Sequence, residues 1–191
     1  MIYLPTVVGR EALTLVDRVD WAALQHAFAS PEHIAGTRPR GTSLDYHPNR
    51  ALEKLAAADD EAFQMAVAAL YQSLCHQAGT IYEATPHSVP FLAAFIAGPD
   101  TPPARAREVG ELVACMGMAS CFVSERGTSL GAYGPGVGLR TREALRASRA
   151  HLAAAHARHR ELRKVFDLLD RVLADEPPNP AAAKRLDAYF S

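Results

Sequence analysis

Apolar residues recur at helical spacing along most of the chain, and the gaps between those stretches fall at Gly, Pro, acidic and hydroxyl residues. Asp20 is placed to cap a helix beginning at Trp21, with Trp21, Leu24, Gln25 and Phe28 on one face and Ser30-Pro31 as its end. The stretch from Pro31 to His47 contains Gly36, Pro39 and Gly41 and reads as a loop. Pro48 suits the first position of the next helix, whose apolar stripe holds Leu52 and Leu55. Asp59 and Asp60 open another, in which Phe63, Val67, Leu70 and Leu74 recur at the helical interval.

Val89, Phe91, Leu92, Phe95 and Ile96 predict a short apolar helix closed by Gly98-Pro99. Thr101 followed by Pro102 predicts a cap and a first-turn proline for a helix through "AREVGELVACMGMASCFV". The segment 125–139, "ERGTSLGAYGPGVGL", holds five glycines and a proline and reads as a flexible loop. No Gly or Pro occurs from Arg140 to Glu176, where Leu145, Leu152, Leu162, Phe166, Leu169 and Leu173 fall close to a heptad pattern. That predicts one long helix, or two joined without a breaker. "PPNP" ends it, and Ala181–Phe190 predicts a short final helix. Strand alternation is absent, except for a weak signal over Ile2–Val8. The expected fold is all-α in a single domain over residues 1–191, with about seven to eight helices arranged as antiparallel pairs. Pairs stacked side by side would make a short α-solenoid.

Two stretches carry a family likeness. "DWAALQHAFAS" and "HQAGTIYEATPHSVPFL" resemble bacterial HEAT-repeat-like proteins, which carry a Trp-x-x-Leu-x-His-Ala-aromatic element. Those proteins continue with a His-Gln-Gly-Thr-x-Tyr-Glu-Ala-Thr segment that runs into Ala-Val-Pro-Phe-Leu. The likeness covers residues 20–120. It implies a helical-repeat fold and a tendency to bind proteins, and it implies no reaction. The chain departs from the pattern in having Ala78 between Gln77 and Gly79, and in having the glycine loop and the basic segment where a plain repeat pair would stand.

Composition agrees with a helical globular domain. Of 191 residues, 49% are hydrophobic and 21% charged, with Ala and Leu dominant and aromatics at 7%. The first residues lack a basic region before an apolar run, and no run is long enough for a membrane span. Cys75, Cys115 and Cys121 are an odd set without zinc spacing, and they predict buried thiols in a reducing cytoplasm. Charge is uneven. Residues 1–100 carry six basic and eleven acidic side chains, whereas residues 101–191 carry fourteen and ten. The excess lies in Arg140, Arg142, Arg146, Arg149, Arg158, Arg160, Arg163 and Lys164, opposed only by Glu143 and Glu161. Such a face suits an acidic protein or a nucleic acid, or simply keeps the protein in solution.

The segment Cys75–Leu92 concentrates polar side chains between apolar helices. His76, Glu83 and His87 have the chemistry of a divalent-metal ligand set. Pro86 argues instead that Thr85 caps the following helix and that Glu83 lies in the turn, where helix-end groups need partners. His151, His156 and His159 are poorly spaced for one helical face, and "GAYGPGVG" lacks the ending of a phosphate loop. No metal, cofactor or catalytic constellation is therefore assigned. Partner contact is assigned to His76, Tyr82, Glu83, His87, Tyr133, Arg142, Arg146 and Arg149. The expected function is a non-enzymatic, protein-binding one, that of an immunity protein which neutralises an acidic bacterial toxin domain. The alternative is nucleic-acid binding along residues 140–164, against which the pI of 6.7 and the scarcity of aromatics in that segment weigh.

Overall fold

One helix of the chain has almost no access to solvent, and the others are arranged around it. It is Ala84–Ala97, in which every residue except His87 is buried. A computed structural model describes residues 6–24, 47–76, 80–122, 131–132 and 136–174. Within them the order is α1 (Arg10–Leu13), α2 (Pro48–Lys54), α3 (Asp60–Leu74), β1 (Cys75–His76), β2 (Thr80–Ile81), α4 (Ala84–Ala97), α5 (Pro103–Ala119), β3 (Gly131–Ala132), α6 (Val137–Ala147), α7 (Arg149–Arg158) and α8 (Arg163–Ala174). Single 3₁₀ turns stand at Val16–Arg18, Trp21–Ala23 and Arg160–Leu162. The protein is mostly helical, as its composition implies. Among the described residues no helix is long and apolar enough to cross a membrane.

Helix α4 packs against α1, α2, α3, α5, α6 and α7, while α5 also packs against α8. Phe91, Leu92, Phe95 and Ile96 of α4 form one core with Leu52, Phe63, Leu70, Leu112 and Leu145. Trp21 joins it through a tilted contact with Phe91, centroids 6.3 Å apart, and its indole N–H donates to the Val16 carbonyl at 2.8 Å. The packing is organised around α4, and it does not establish the stack of antiparallel neighbours expected of a solenoid.

A helix buried along its whole length cannot leave its terminal carbonyls to water. Three carbonyls of the last turns of α4 are met by donors from three separate segments. The Gly9 N–H donates to Ala94 O at 2.8 Å, the Thr101 hydroxyl to Phe95 O at 2.6 Å, and His159 Nε2 to Ile96 O at 3.1 Å. Thr101 is thus a cap for the end of α4; α5 itself starts at Pro103 with Pro102 before it and no side-chain cap. At the other end Thr85 lies inside the first turn, one residue past the start, and is not the cap. Its hydroxyl donates to Leu74 O at 2.6 Å and accepts from the Tyr82 N–H at 3.0 Å, which ties α3 to α4.

Asp59 does cap α3, accepting from the Glu61 and Ala62 N–H groups. Pro48 opens α2 as its position implies. Asp20 makes no side-chain cap bond, and Trp21–Ala23 is a 3₁₀ turn that ends in extended backbone at Leu24. The helix expected from Trp21 therefore does not begin there. Gln25 and Phe28, nearly all of the loop up to His47, and the helix expected over Ala181–Phe190 lie outside the described residues.

The small sheet has no counterpart in the hydropathy pattern. β1 and β2 are antiparallel, with Cys75 opposite Ile81 and His76 opposite Thr80, and β3 adds in parallel with Gly131 opposite Thr80. Two residues per strand are too few for alternation to register. β3 comes from the middle of the glycine-rich segment 125–139, which is therefore pinned at Gly131–Ala132 and already helical from Val137.

The stretch 140–174 is neither one helix nor two. It bends at Ser148 and again at His159, giving α6, α7 and α8. A straight helix over 137–174 would be about 57 Å long against about 21 Å for α4, so an unbent one would leave the core behind. Bending keeps Leu145, Leu152, Leu162, Phe166, Leu169 and Leu173 all buried, although they belong to successive elements. Close approach of α8 to α5 depends on Gly117, where a Cβ would collide with Leu169.

Two contacts outside the aliphatic core are expected to matter for stability. Gly98 faces Gly9 so closely that a Cβ at Gly98 would overlap the Gly9 backbone, and the strain could not be relieved by rotating a side chain. Gly98→Ala should cost about 2 kcal/mol or more, seen as a fall in Tm of about 4–8 °C. Arg105 on α5 donates to Ala57 O and Ala58 O, pairs with Asp60 at 2.7 Å and lies 4.6 Å over the Phe63 ring. Its side chain is only 8% exposed. Arg105→Ala should therefore lower the urea-unfolding free energy by about 2–3 kcal/mol, a loss that an exposed ion pair would not produce.

Candidate partner-binding surface

The residues singled out in the sequence fall into two places. The first is the entry to α4. His76 sits in β1 and Tyr82, half-buried, comes directly after β2. Glu83 occupies the position before α4 and makes no cap bond with its side chain. His87 lies one turn on, half-buried. Burial holds its imidazole below the ordinary value of 6.5, the Arg140 guanidinium adds to that, and Glu83 pulls the other way. The fold thus brings Glu83 and His87 within electrostatic reach of each other and adds Arg140 from the start of α6. Arg140 is separated from them by more than fifty positions, and nothing in the local sequence marks it as a partner. Among the described residues, no group of three or more His, Cys, Asp or Glu is arranged to hold a metal ion, and the His76 side chain lies outside them.

The second place is the seam between α6, α7 and α8. A groove of about 220 Å³ runs there, lined by Leu145, Arg146, Arg149, Leu152, Asp170 and Leu173. Only one of the three assigned arginines is exposed. Arg142 is buried and donates through its NH1 nitrogen to Ser120 O, the carbonyl immediately after α5. Its Nε has no hydrogen-bond partner. Arg146 is half-buried, with Nε and NH2 donating to Leu173 O at 3.1 and 2.7 Å, so it closes the end of α8. Both are corrections to the picture of a continuous solvated basic face: these side chains answer to orphaned helix carbonyls. Arg149 is exposed and stands 3.9 Å from Asp170, also exposed, a surface pair worth less than about 1 kcal/mol. Arg140, Arg158, Arg160 and Arg163 are exposed as well. Tyr133 lies outside the described residues.

A third cluster was invisible in the sequence. Cys75 at the end of α3 meets Cys115 of α5, and the Tyr71 hydroxyl hydrogen-bonds to Cys115. Burial, reinforced by Cys115, pushes the Cys75 thiol well above its usual range; burial and then the two thiols push the Tyr71 hydroxyl up. Only the forty-residue separation hid it, because each residue alone reads as an ordinary apolar helix position. The arrangement disfavours thiolate, and so disfavours nucleophilic chemistry at Cys75.

Cys121 is partly exposed, whereas Cys75 and Cys115 are buried. A thiol reagent at neutral pH should label Cys121 in the native protein and reach Cys75 only on unfolding, which peptide mapping after timed labelling will read. His87 should titrate below 6.5 by NMR. Because its folded-state value is depressed, the stability held by the neutral ring is intact above 6.5 and is lost as pH falls below it.

Compared with known proteins, the chain matches no protein-family model, no curated protein and no solved structure.

Proposed function

We propose that this chain is a non-enzymatic protein-binding module, an immunity protein that binds a cognate bacterial toxin and covers its active site. The reading also takes the helices as a variant of the HEAT-like solenoid that the two sequence stretches resemble, working in the cytoplasm. What carries it is one observation: Arg149, Arg158, Arg160 and Arg163 remain exposed along α7, the turn after it and the start of α8, and Arg149 lines the groove over Leu145, Leu152 and Leu173. An acidic partner surface complements that arrangement, with charge speeding encounter and a few desolvated contacts setting affinity. Glu83, His87 and Arg140 at the entry to α4 form a mixed-charge patch suited to polar contacts at a rim.

The same exposed arginines support a second reading, nucleic-acid binding along α6–α8. The two differ in partner and in salt response. Co-expression with the product of the adjacent gene should give a complex that survives purification and should relieve that product's toxicity. No complex together with no rescue would count against the immunity reading. Arg149→Glu should slow association by about tenfold at low salt and much less at high salt, measured by surface plasmon resonance. Retention on a nucleic-acid column that falls steeply with salt would favour the second reading instead.

A further inference from the structure

Helix α6 begins without a side-chain cap. Gly136 precedes it in the left-handed region, at φ 71°, where other residues would be strained. The first hydrogen bond of the helix runs from Arg140 N to Gly136 O at 2.9 Å. The N–H groups of Val137, Gly138 and Leu139 come before that ladder, and they need acceptors from outside the helix. They also carry the positive end of its dipole.

Beside this helix start lies a buried cation. Arg142 is 8% exposed and donates through NH1 to Ser120 O. The same carbonyl lies 2.7 Å from where a Cβ on Gly138 would stand. The guanidinium is therefore folded back along α6, one turn towards its start, and sits against the first turn. Nε has no hydrogen-bond partner, and it belongs to the edge opposite the Ser120 contact. That Nε–NH2 edge is the one with which an arginine grips an oxyanion through two parallel bonds. An enclosed donor left without an acceptor costs about 1–3 kcal/mol, and a charged one more, so the edge calls for an anionic partner. A second guanidinium flanks the same turn, because Arg140 NH1 lies 3.1 Å from the position that a Cβ on Gly136 would take.

We propose that the start of α6 binds a terminal phosphate group, held between the N–H groups of Val137, Gly138 and Leu139 and the Nε–NH2 edge of Arg142, with Arg140 flanking it on the Gly136 side. Backbone donors and a forked edge from one side chain suit the several oxygens of a phosphate better than the planar pair of a carboxylate. The depth of Arg142 selects an end group, because a chain that continues on both sides of its phosphate cannot bring it to a buried edge. An internal diester of a nucleic-acid strand is such a chain. The residues after Gly136 are Val-Gly-Leu-Arg, without the Lys-Ser/Thr that serves a magnesium-bound triphosphate, so the site takes a single phosphate. The phosphate is either the inorganic ion or the end of a small phosphomonoester.

Titration of the full chain with sodium phosphate, against sodium chloride at matched ionic strength, tests this by NMR. The Arg142 Nε–H resonance and the amides of Val137 and Gly138 should move downfield and saturate together, and chloride should leave them in place. Glycerol 3-phosphate separates the two sources. Binding as tight as inorganic phosphate, or tighter, assigns a monoester, and binding weaker by about tenfold or more assigns the inorganic ion. Arg142→Lys keeps a charge and a donor for Ser120 O but has no fork, and should weaken phosphate by about tenfold or more while Tm stays near that of the wild type. Arg140→Gln, at an exposed position outside the core, should weaken it by a smaller factor and serves if Arg142→Lys does not fold. Wild-type shifts that grow in proportion to added phosphate without saturating would overturn the proposal. So would unchanged affinity in the folded variants, or a dialkyl phosphate or acetate that binds as tightly as phosphate.

Discussion

A helix end buried in a protein core needs hydrogen-bond donors brought to it, and that requirement shapes most of this fold. Helix α4 is enclosed nearly from end to end, so the carbonyls of Ala94, Phe95 and Ile96 depend on Gly9, Thr101 and His159. The same need recurs at other helix ends. Arg105 serves the turn after α2, Arg142 the carbonyl after α5 and Arg146 the end of α8. In each case a cationic side chain from elsewhere meets the negative end of a helix, where its charge is also favoured by the dipole. The basic residues of this chain are thus divided between internal duty and the surface.

That division separates the charge pattern of the sequence from the charge pattern of the surface. Successive residues of a helix turn by about 100°, so a basic run in sequence cannot all face one way. Arg142 and Arg146 share the side that meets neighbouring backbone, and the bend at Ser148 re-aims the residues of α7. The exposed set is smaller: Arg140 stands by itself at the start of the run, beside His87, and the rest lie from Arg149 to Arg163. A partner surface, if it tracks charge, is narrower than the run of arginines implies and sits against α7 and α8.

The helical character, the start of α2 at Pro48, the cap at Asp59 and the end of α4 at Gly98 were all legible, because each depends on residues within a turn of one another. So was the burial of Leu145, Leu152, Phe166 and Leu169, since apolar spacing survives a bend. The hidden features were long-range. Thr85 and Thr101 look like N-caps, yet each hydroxyl is claimed by a carbonyl of another segment, Leu74 and Phe95. The breaks at Ser148 and His159 carry no Gly or Pro, because packing on α4 imposes them and local propensity does not. At the entry to α4 the polar cluster Glu83–His87 was visible, but its third member Arg140 came from another helix. Cys75, Cys115 and Tyr71 were likewise scattered in sequence and joined only by the fold.

One of these long-range bonds bears on how the chain is made. His159 reaches Ile96 across 63 residues, and the backbone turns away from the helical path at Gly98, just beyond that carbonyl. During synthesis α4 emerges long before that histidine. The last turn of the central helix must therefore wait, open to water or to a chaperone, until the end of α7 has left the ribosome. Completion of the core is in this sense a late, C-terminal event, and the nascent protein passes through a stage in which its most apolar helix is present but unfinished.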